Sequence, residues 1–351
     1  MILALNSGSS SLKYAMFDGD DAVVRGTLDA VTDHRAAVLG VIDQLTTRPA
    51  AVGHRLVHGG PDHMAPARLD AALLAELTRL APLSPLHLPA ELAAIEAVSL
   101  RLDVPQVACF DTAFHRTLPP VARRYALPSA LLSAGVQRYG FHGLSYASIT
   151  AALPPARLRR AVIAHLGSGA SMAAIRDGQS VDTTMGFSPA GGLVMATRPG
   201  DLDPGLLVYL LTHGHDAARL DQLINHEAGL LALSETTGDM RQLLEQRAGD
   251  PRAALAVDVF CYHARKAIGA FAAVLGGIET LVFTGGIGEH APAVRAEICR
   301  GLDHLGIMLD DAGNAAGAPV ISTGRCEVRV MHTDEEREIV RATRRVLDAQ
   351  A

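Results

Sequence analysis

The sequence predicts an α/β protein made of two related halves, and three observations carry that expectation. Apolar strand-like runs alternate with helix-patterned stretches along most of the chain. The opening pattern of strand, small-residue turn, strand and Asp-Gly turn returns at an offset of 159 residues, a domain-sized interval. Finally, 351 residues are more than one ordinary domain needs, and 49% apolar against 19% charged residues supplies material for packed cores.

Each element has its own signal. Met1–Leu5 is a short apolar strand, 6–11 a turn of Asn, Gly and Ser, and 12–17 a second strand. Asp18-Gly19 then marks a hairpin turn, with Ala22–Leu28 as the returning strand. Helical spacing covers 33–45, 69–80 and 89–102, with strands at 51–57 and 107–110 between and after them. A helix over 145–153 is closed by Pro154-Pro155. In the second half, 163–175 repeats the opening pattern, with His165 at the place of Asn6, Gly167 of Gly8 and Asp177-Gly178 of Asp18-Gly19. Helices are expected over 206–211, 217–227, 251–275, 292–305 and 334–349, and strands over 279–284 and 326–331. Two domains follow: 1–146, completed by the C-terminal helix 334–351, and 147–333.

Composition excludes several functions. Lys and Arg number 31 against 37 Asp and Glu, a net charge of -6, with no dense basic block to bind nucleic acid or an anionic membrane. Lys13 and Lys266 are the two lysines, and neither lies in a Gly-Lys-Ser/Thr setting, so a Walker A loop is absent. Cys109, Cys261, Cys299 and Cys326 form no CxxC pair and read as buried thiols of a reducing compartment. No leader pattern opens the chain and no apolar run reaches 18 residues, so a soluble, cytoplasmic protein is expected.

Residues suited to chemistry cluster near turns. The loop Asn6–Ser11 offers amide and hydroxyl donors beside Lys13, and Gly167-Ser168-Gly169 offers the same in the second half. Each reads either as a phosphate cradle or as an ordinary polar hairpin turn. Gly285-Gly286-Ile287-Gly288 follows a strand, where backbone can approach a ligand. The 286–291 stretch fits GxGxxG/A, but too little chain follows to complete a dinucleotide fold. Arg55 interrupts an apolar strand between His54 and His58; Arg198 and Arg241 sit in turns rich in aspartate. Their forked guanidinium groups suit multi-oxygen anions, and structural ion pairs are the plainer alternative. Asp111 stands at a strand's carboxyl end, where α/β proteins bind ligands. His142 lies in a glycine-flanked turn, and Glu335 and Glu336 open a helix, where capping is the plain account. No zinc or calcium motif occurs, so a bound metal would be Mg²⁺.

Assembled in order, these segments resemble the acetate kinase family. The resemblance rests on 6–13 (NSGSSSLK), 53–60 (GHRLVHGG), 110–115 (FDTAFH), 138–143 (RYGFHG), 182–186 (DTTMG), 197–204 (TRPGDLDP) and 283–289 (FTGGIGE). It implies the sugar kinase/Hsp70/actin superfamily fold: duplicated actin-like, ribonuclease H-like domains with a central cleft. It further implies reversible phosphoryl transfer between ATP and a short-chain acid, acetate first, giving acetyl phosphate and ADP with Mg²⁺, in a homodimer. By motif, Asn6, Ser9, Ser11 and Lys13 would line one phosphate loop, with His165, Gly167, Ser168 and Gly169 near the same group. Arg55, Arg198 and His142 would hold carboxylate and phosphoryl group, and Asp111 would be the catalytic acidic residue. Glu335, with Glu336 as its alternative, and Asn6 would serve the metal. Val57, Leu86, Phe141 and Pro189 would form the alkyl pocket; Asp239, Arg241 and 285–288 would face the nucleotide.

A carboxylate is already ionised near neutral pH, so no strong base is required and Asp111 is assigned to orientation and the Mg²⁺ shell rather than proton removal. Departures from the family pattern are Leu88 for Asn, Ser168 for Asn, Gly191 for Glu, Tyr146 for His, His290 for Asn, and a shortened stretch between Lys13 and Gly53. They leave propionate or butyrate as alternative acids, pyrophosphate as an alternative donor, and a nucleotide sensor with a degenerate site as the non-enzymatic reading.

Overall fold

The computed structural model describes residues 1–8, 11–85, 87–133 and 135–349. Strands β1 (Ile2–Ser7), β2 (Ser11–Asp18) and β3 (Asp21–Asp29) form the expected antiparallel meander. Its turn is displaced by one residue from the expected Asp18-Gly19. Asp18 still pairs with Asp21, so Gly19 and Asp20 make the loop, and the positive φ of 57° at Gly19 matches a II′ turn. Helix α1 (His34–Gln44) begins where Asp33 accepts from the Ala36 N–H at 2.9 Å. Then follow β4 (Ala51–Leu56), β5 (Ala67–Arg68), α2 (Ala71–Leu80, capped by Asp70), α3 (Leu88–Arg101, Pro89 in its first turn) and β6 (Gln106–Phe110).

Short helices α4 (Pro120–Arg123) and α5 (Ser129–Ser133) precede α6 (Gly143–Ala152). The meander then recurs as β7 (Arg160–Leu166), β8 (Ala170–Arg176) and β9 (Gln179–Thr183). Here the turn is Asp177-Gly178, both residues at positive φ. Helices α7 (Pro204–Thr212), α8 (Ala217–Gln222), α9 (Gly229–Ser234) and α10 (Met240–Gln246) lead to α11 (Pro251–Leu275). The last elements are β10 (Thr280–Thr284), α12 (Gly285–His290), α13 (Pro292–Cys299), α14 (Asp311–Ala316), β11 (Glu327–Val330) and α15 (Glu335–Asp348).

Three expectations are corrected. The glycines 285–288 do not form a loop but the first turn of α12, where Glu289 accepts from the Gly285 N–H at 3.0 Å. The helix expected over 292–305 stops at Cys299, because Gly301 turns the chain at φ 78° and only a 3₁₀ turn follows at Asp303–Leu305. The helix expected over 217–227 ends at Gln222, and Leu223–Glu227 winds as a π turn.

The chain forms two compact units. Unit 1 comprises Met1–Arg116, Phe141–Ser148 and Asp334–Ala351; unit 2 comprises Thr117–Gly140 and Ile149–Thr333. In unit 1 the sheet order is β3-β2-β1-β4-β6-β5, with β1, β4 and β6 mutually parallel. Alternation sends Leu3, Leu5 and Val52 to one face under α1 and α3, and Ala4, Val107 and Cys109 to the other under α15. Gly53 makes that second face possible, since a Cβ there would collide with Thr343 and Ile339 of α15.

In unit 2 the order β9-β8-β7-β10-β11 repeats β3-β2-β1-β4-β6 strand for strand, with the same parallel and antiparallel senses. The recurring motif in the sequence is therefore a duplicated fold. Helix α11 covers this second core with Ala253, Ala256, Val257, Phe260, Ala264, Ile268 and Phe271, an i, i+3, i+4 stripe. Asp250 caps its start, Pro251 opens it and Gly276, at φ 71°, ends it. All four cysteines are free and buried. Among the described residues no helix is long and apolar enough to cross a membrane.

Candidate active site

Parallel register in unit 1 collects three of the expected residues. Leu5 pairs with His54, and Arg55 and Leu56 pair with Cys109 and Phe110, so Asn6, Arg55 and Asp111 emerge side by side at the carboxyl ends of β1, β4 and β6. The Arg55 fork donates to Asp111 Oδ2 from Nε at 3.1 Å and Nη2 at 2.8 Å, while Nη1 donates to Asn6 Oδ1 at 3.3 Å. Asn6 Nδ2 in turn donates to Glu335 Oε2 at 2.9 Å and Glu336 Oε1 at 3.0 Å. These two glutamates do not cap α15; Asp334 does, accepting from the Arg337 N–H at 3.0 Å. Both carboxylates are thus turned toward Asn6.

Burial sets the electrostatics. Asp111 is 1% exposed, and removal from water pushes its carboxyl above the ordinary range while Arg55 pulls it back. Burial alone would lower the Arg55 guanidinium; Asp111, Glu335 and Glu91 outweigh it and raise it, so the cation is held in place. Leu144 N–H also points to Asp111 Oδ1, at 3.4 Å. Gly143 permits this approach, because a Cβ there would collide with the Asp111 carbonyl. The preceding residue, His142, is half-buried at φ 58°, and its backbone carbonyl accepts from the Tyr146 N–H at 3.1 Å.

Other expected residues of unit 1 lie around this network. Lys13 stands directly across from Asn6 in the β1–β2 ladder, hence on the same face, and is exposed. Ser11 opens β2 and its carbonyl accepts from the Gly8 N–H at 2.8 Å. Val57 and Phe141 are buried, and the Phe141 ring meets His58, the neighbour of Val57, edge-on at 5.6 Å. Ser9 and Leu86 lie outside the described residues.

Unit 2 contains a cavity of about 800 Å³. The β7–β8 turn contributes Gly167 and Ser168, the start of α10 contributes Asp239 and Arg241, and α12 contributes Gly286 and Ile287. Asp239 caps α10 by accepting from the Arg241 N–H at 2.8 Å, and Arg241 is exposed. Gly169 closes the turn, its carbonyl accepting from the Gly167 N–H at 3.1 Å. Gly285 and Gly288 are buried in α12 and are not among the lining residues. His165 is the half-buried partner of Ser171 and Thr284 in the sheet. Arg198 Nη1 donates to the Pro189 carbonyl at 2.8 Å, joining two more expected residues. Among the described residues no three His, Cys, Asp or Glu side chains gather as a ready metal cluster.

Several departures find physical places. Leu88 is fully buried with Leu56, Leu73 and Phe110, so an alkyl group there serves the core. Tyr146 is fully buried against Phe114 and His115. Gly191 lies beside Asp201, whose Oδ1 holds the Gly192 N–H at 2.8 Å; a glutamate at 191 would bring a second carboxylate there. His290 lines the cavity, as do Met240 and Leu244, which sequence reasoning missed although their i, i+4 spacing after the Asp239 cap was the available signal.

The acetokinase family model matches residues 29–341. The acetate kinase of Rhizobium meliloti is 44% identical over 390 aligned residues, covering 99% of this chain and 98% of that protein. The propionate kinase of Citrobacter rodentium (strain ICC168) is 39% identical, covering 99% and 97%. The crystal structure of Porphyromonas gingivalis acetate kinase superposes with a TM-score of 0.89 at 34% identity, covering 99% of each chain.

Proposed function

The chain belongs to the acetokinase family, and from that premise we propose that it transfers the terminal phosphoryl group of ATP reversibly to acetate, giving acetyl phosphate and ADP. The observation that carries this reading is Arg55, a half-buried cation forked onto Asp111 and Asn6 at three adjacent strand ends. Phosphoryl transfer to a carboxylate brings two anions together, so the work is neutralisation and in-line placement rather than proton removal. Asp111 is committed to Arg55 and holds its fork in orientation. Arg55, His142 and Arg198 are the residues assigned to the carboxylate and the moving phosphoryl group. The cavity lined by Gly167, Ser168, Asp239, Arg241, Gly286 and Ile287 is assigned to the nucleotide. At about 800 Å³ it has room for a nucleoside triphosphate.

The adjacent carboxylates of Glu335 and Glu336 beside Asn6 suit Mg²⁺, which needs few protein ligands when phosphates and water complete its shell. Glu335 and Asn6 are the residues assigned to it, and when bound it neutralises phosphate oxygens. Val57, Phe141 and Pro189 are assigned to the alkyl end of the acid. One methylene there is worth about 1–3 kcal/mol, so propionate, named for one relative, is the second acid. The exposed apolar helix α7 supports a homodimer.

A panel of C2 to C4 acids with ATP, GTP and pyrophosphate, read as hydroxamate, tests the reading. Acetate with ATP is expected to give the highest kcat/KM, and Arg198→Ala to lower it about a hundredfold without a matching loss of stability. ATP binding with no acyl phosphate from any acid would leave the nucleotide-sensor reading instead.

A further inference from the structure

Two buried acids of unit 1 stand outside the transfer chemistry: Glu338, which pairs with Arg345 on its own helix, and Glu91. Glu91 lies in the first turn of α3 and is 1% exposed. Its carboxyl accepts the backbone N–H of Val57 on both oxygens, at 3.2 and 3.1 Å. Val57 follows the last residue of β4, beyond the point where Leu56 pairs with Phe110, so its N–H has left the β4–β6 ladder. That N–H sits two residues from Arg55 and belongs to a residue assigned to the alkyl pocket. An acid in the first turn of a helix is ordinarily a solvated one; this acid points inward and ties the helix to the strand end.

We propose that Glu91 is a positioning residue for the acid substrate: its carboxyl fixes the Val57 backbone, and through it the pocket wall and the end of β4 that carries Arg55. The inference rests on the carboxylate-kinase reading given above.

The charge state of Glu91 supports the same role. Burial pushes its carboxyl up to about 8, against the pull of Arg55 and the Val57 N–H, with Asp111 adding to the rise. The folded value lies above the ordinary one, so near neutral pH the group is mostly protonated. As pH rises through 8 it ionises, and a second negative charge then opposes the incoming carboxylate. Arg55 on β4 and Asp111 after β6 are the charged groups that act on it. Helices α1 and α2 and strand β4 also pack on α3: Arg35 pairs with Glu96, Asp43 with Arg101, Glu76 with His63 and His54 with Gln106, and buried His34 is the remaining titratable group of α1. Arg79 of α2 is exposed.

Wild type, Glu91→Gln and Glu91→Leu are compared for acid KM, ATP KM and kcat with acetate and propionate between pH 6.5 and 9. Leucine removes the acceptor at similar volume, so acid KM is expected to rise about tenfold and the acetate-to-propionate ratio to shift, with ATP KM unmoved. Glutamine keeps an acceptor but cannot ionise; it is expected to recover most of that loss at pH 7. It should also abolish the rise in acid KM expected of wild type above pH 8. Wild-type KM and selectivity in the leucine variant, or an alkaline rise in the glutamine variant equal to wild type, overturns the inference alone. A wild type that forms no acyl phosphate overturns the transferase reading and this inference with it.

Discussion

Arg55 shows how a single side chain can organise a site. An arginine in an apolar strand costs desolvation, and here three hydrogen bonds and the acidic groups Asp111, Glu335 and Glu91 offset that cost. Lysine carries the same charge as a point and cannot present the planar fork to Asp111 and Asn6 together. Arg55→Lys is therefore expected to lower kcat by about a hundredfold, or about 3 kcal/mol, with a far smaller effect on folding. Steady-state hydroxamate formation measures the first and thermal melting the second; a variant within threefold of wild-type kcat would remove Arg55 from the reaction. Arg55 was legible in the sequence because a charge inside a strand pattern is conspicuous. Glu91 was not: a glutamate after a helix-opening proline matches the ordinary solvated pattern, and only packing reveals that it faces inward. The choice between capping and function at Glu335 and Glu336 was equally closed to the sequence, since Asp334 had first to be seen accepting the Arg337 N–H.

At the scale of elements, α15 links the C-terminal chain to the opening strand. Its inner stripe of Ile339, Val340, Ala342 and Thr343 is buried, and its first turn holds Glu335 and Glu336 against Asn6. Asp334 anchors that turn by capping the helix and by a bidentate pair with Arg25 at 3.2 and 2.7 Å. Removing the cap costs about 1 kcal/mol, and the half-exposed ion pair adds little more. Asp334→Ala is accordingly expected to lower Tm by about 2–4 °C. Because the two glutamates lose their fixed start, a rise in the Mg²⁺ concentration needed for half-maximal activity should accompany it. Unchanged Mg²⁺ dependence in a destabilised variant would confine Asp334 to stability. Long elements with strong punctuation were read correctly, as with α11 between Asp250-Pro251 and Gly276. Short ones were not: α10 is seven residues behind an aspartate cap, and α13 lost its last turn to a glycine whose φ the apolar pattern does not encode.

For the whole molecule, the duplication was visible in a dozen residues because two strands and a turn of fixed length leave a register that later divergence did not erase. The assembly of unit 1 from three separate chain segments was less visible, since what joins them is burial between residues more than 200 positions apart, such as Cys109 and Ile339. Burial also singles out α7. Six consecutive apolar residues, Leu206 to Leu211, would normally mark an interior helix, yet none is buried, and Val208 and Leu211 are 61% and 49% exposed. A helix apolar on all sides and open to solvent is the face expected of a self-complementary interface, for which a second copy of the chain is the simplest partner. Wild type should therefore run at the mass of two chains in light scattering after size exclusion. The double substitution Val208→Glu and Leu211→Glu should run at one, with unchanged far-ultraviolet circular dichroism because both side chains are exposed in the single chain. A wild-type monomer, or a double variant that stays dimeric, would place the interface elsewhere or remove it.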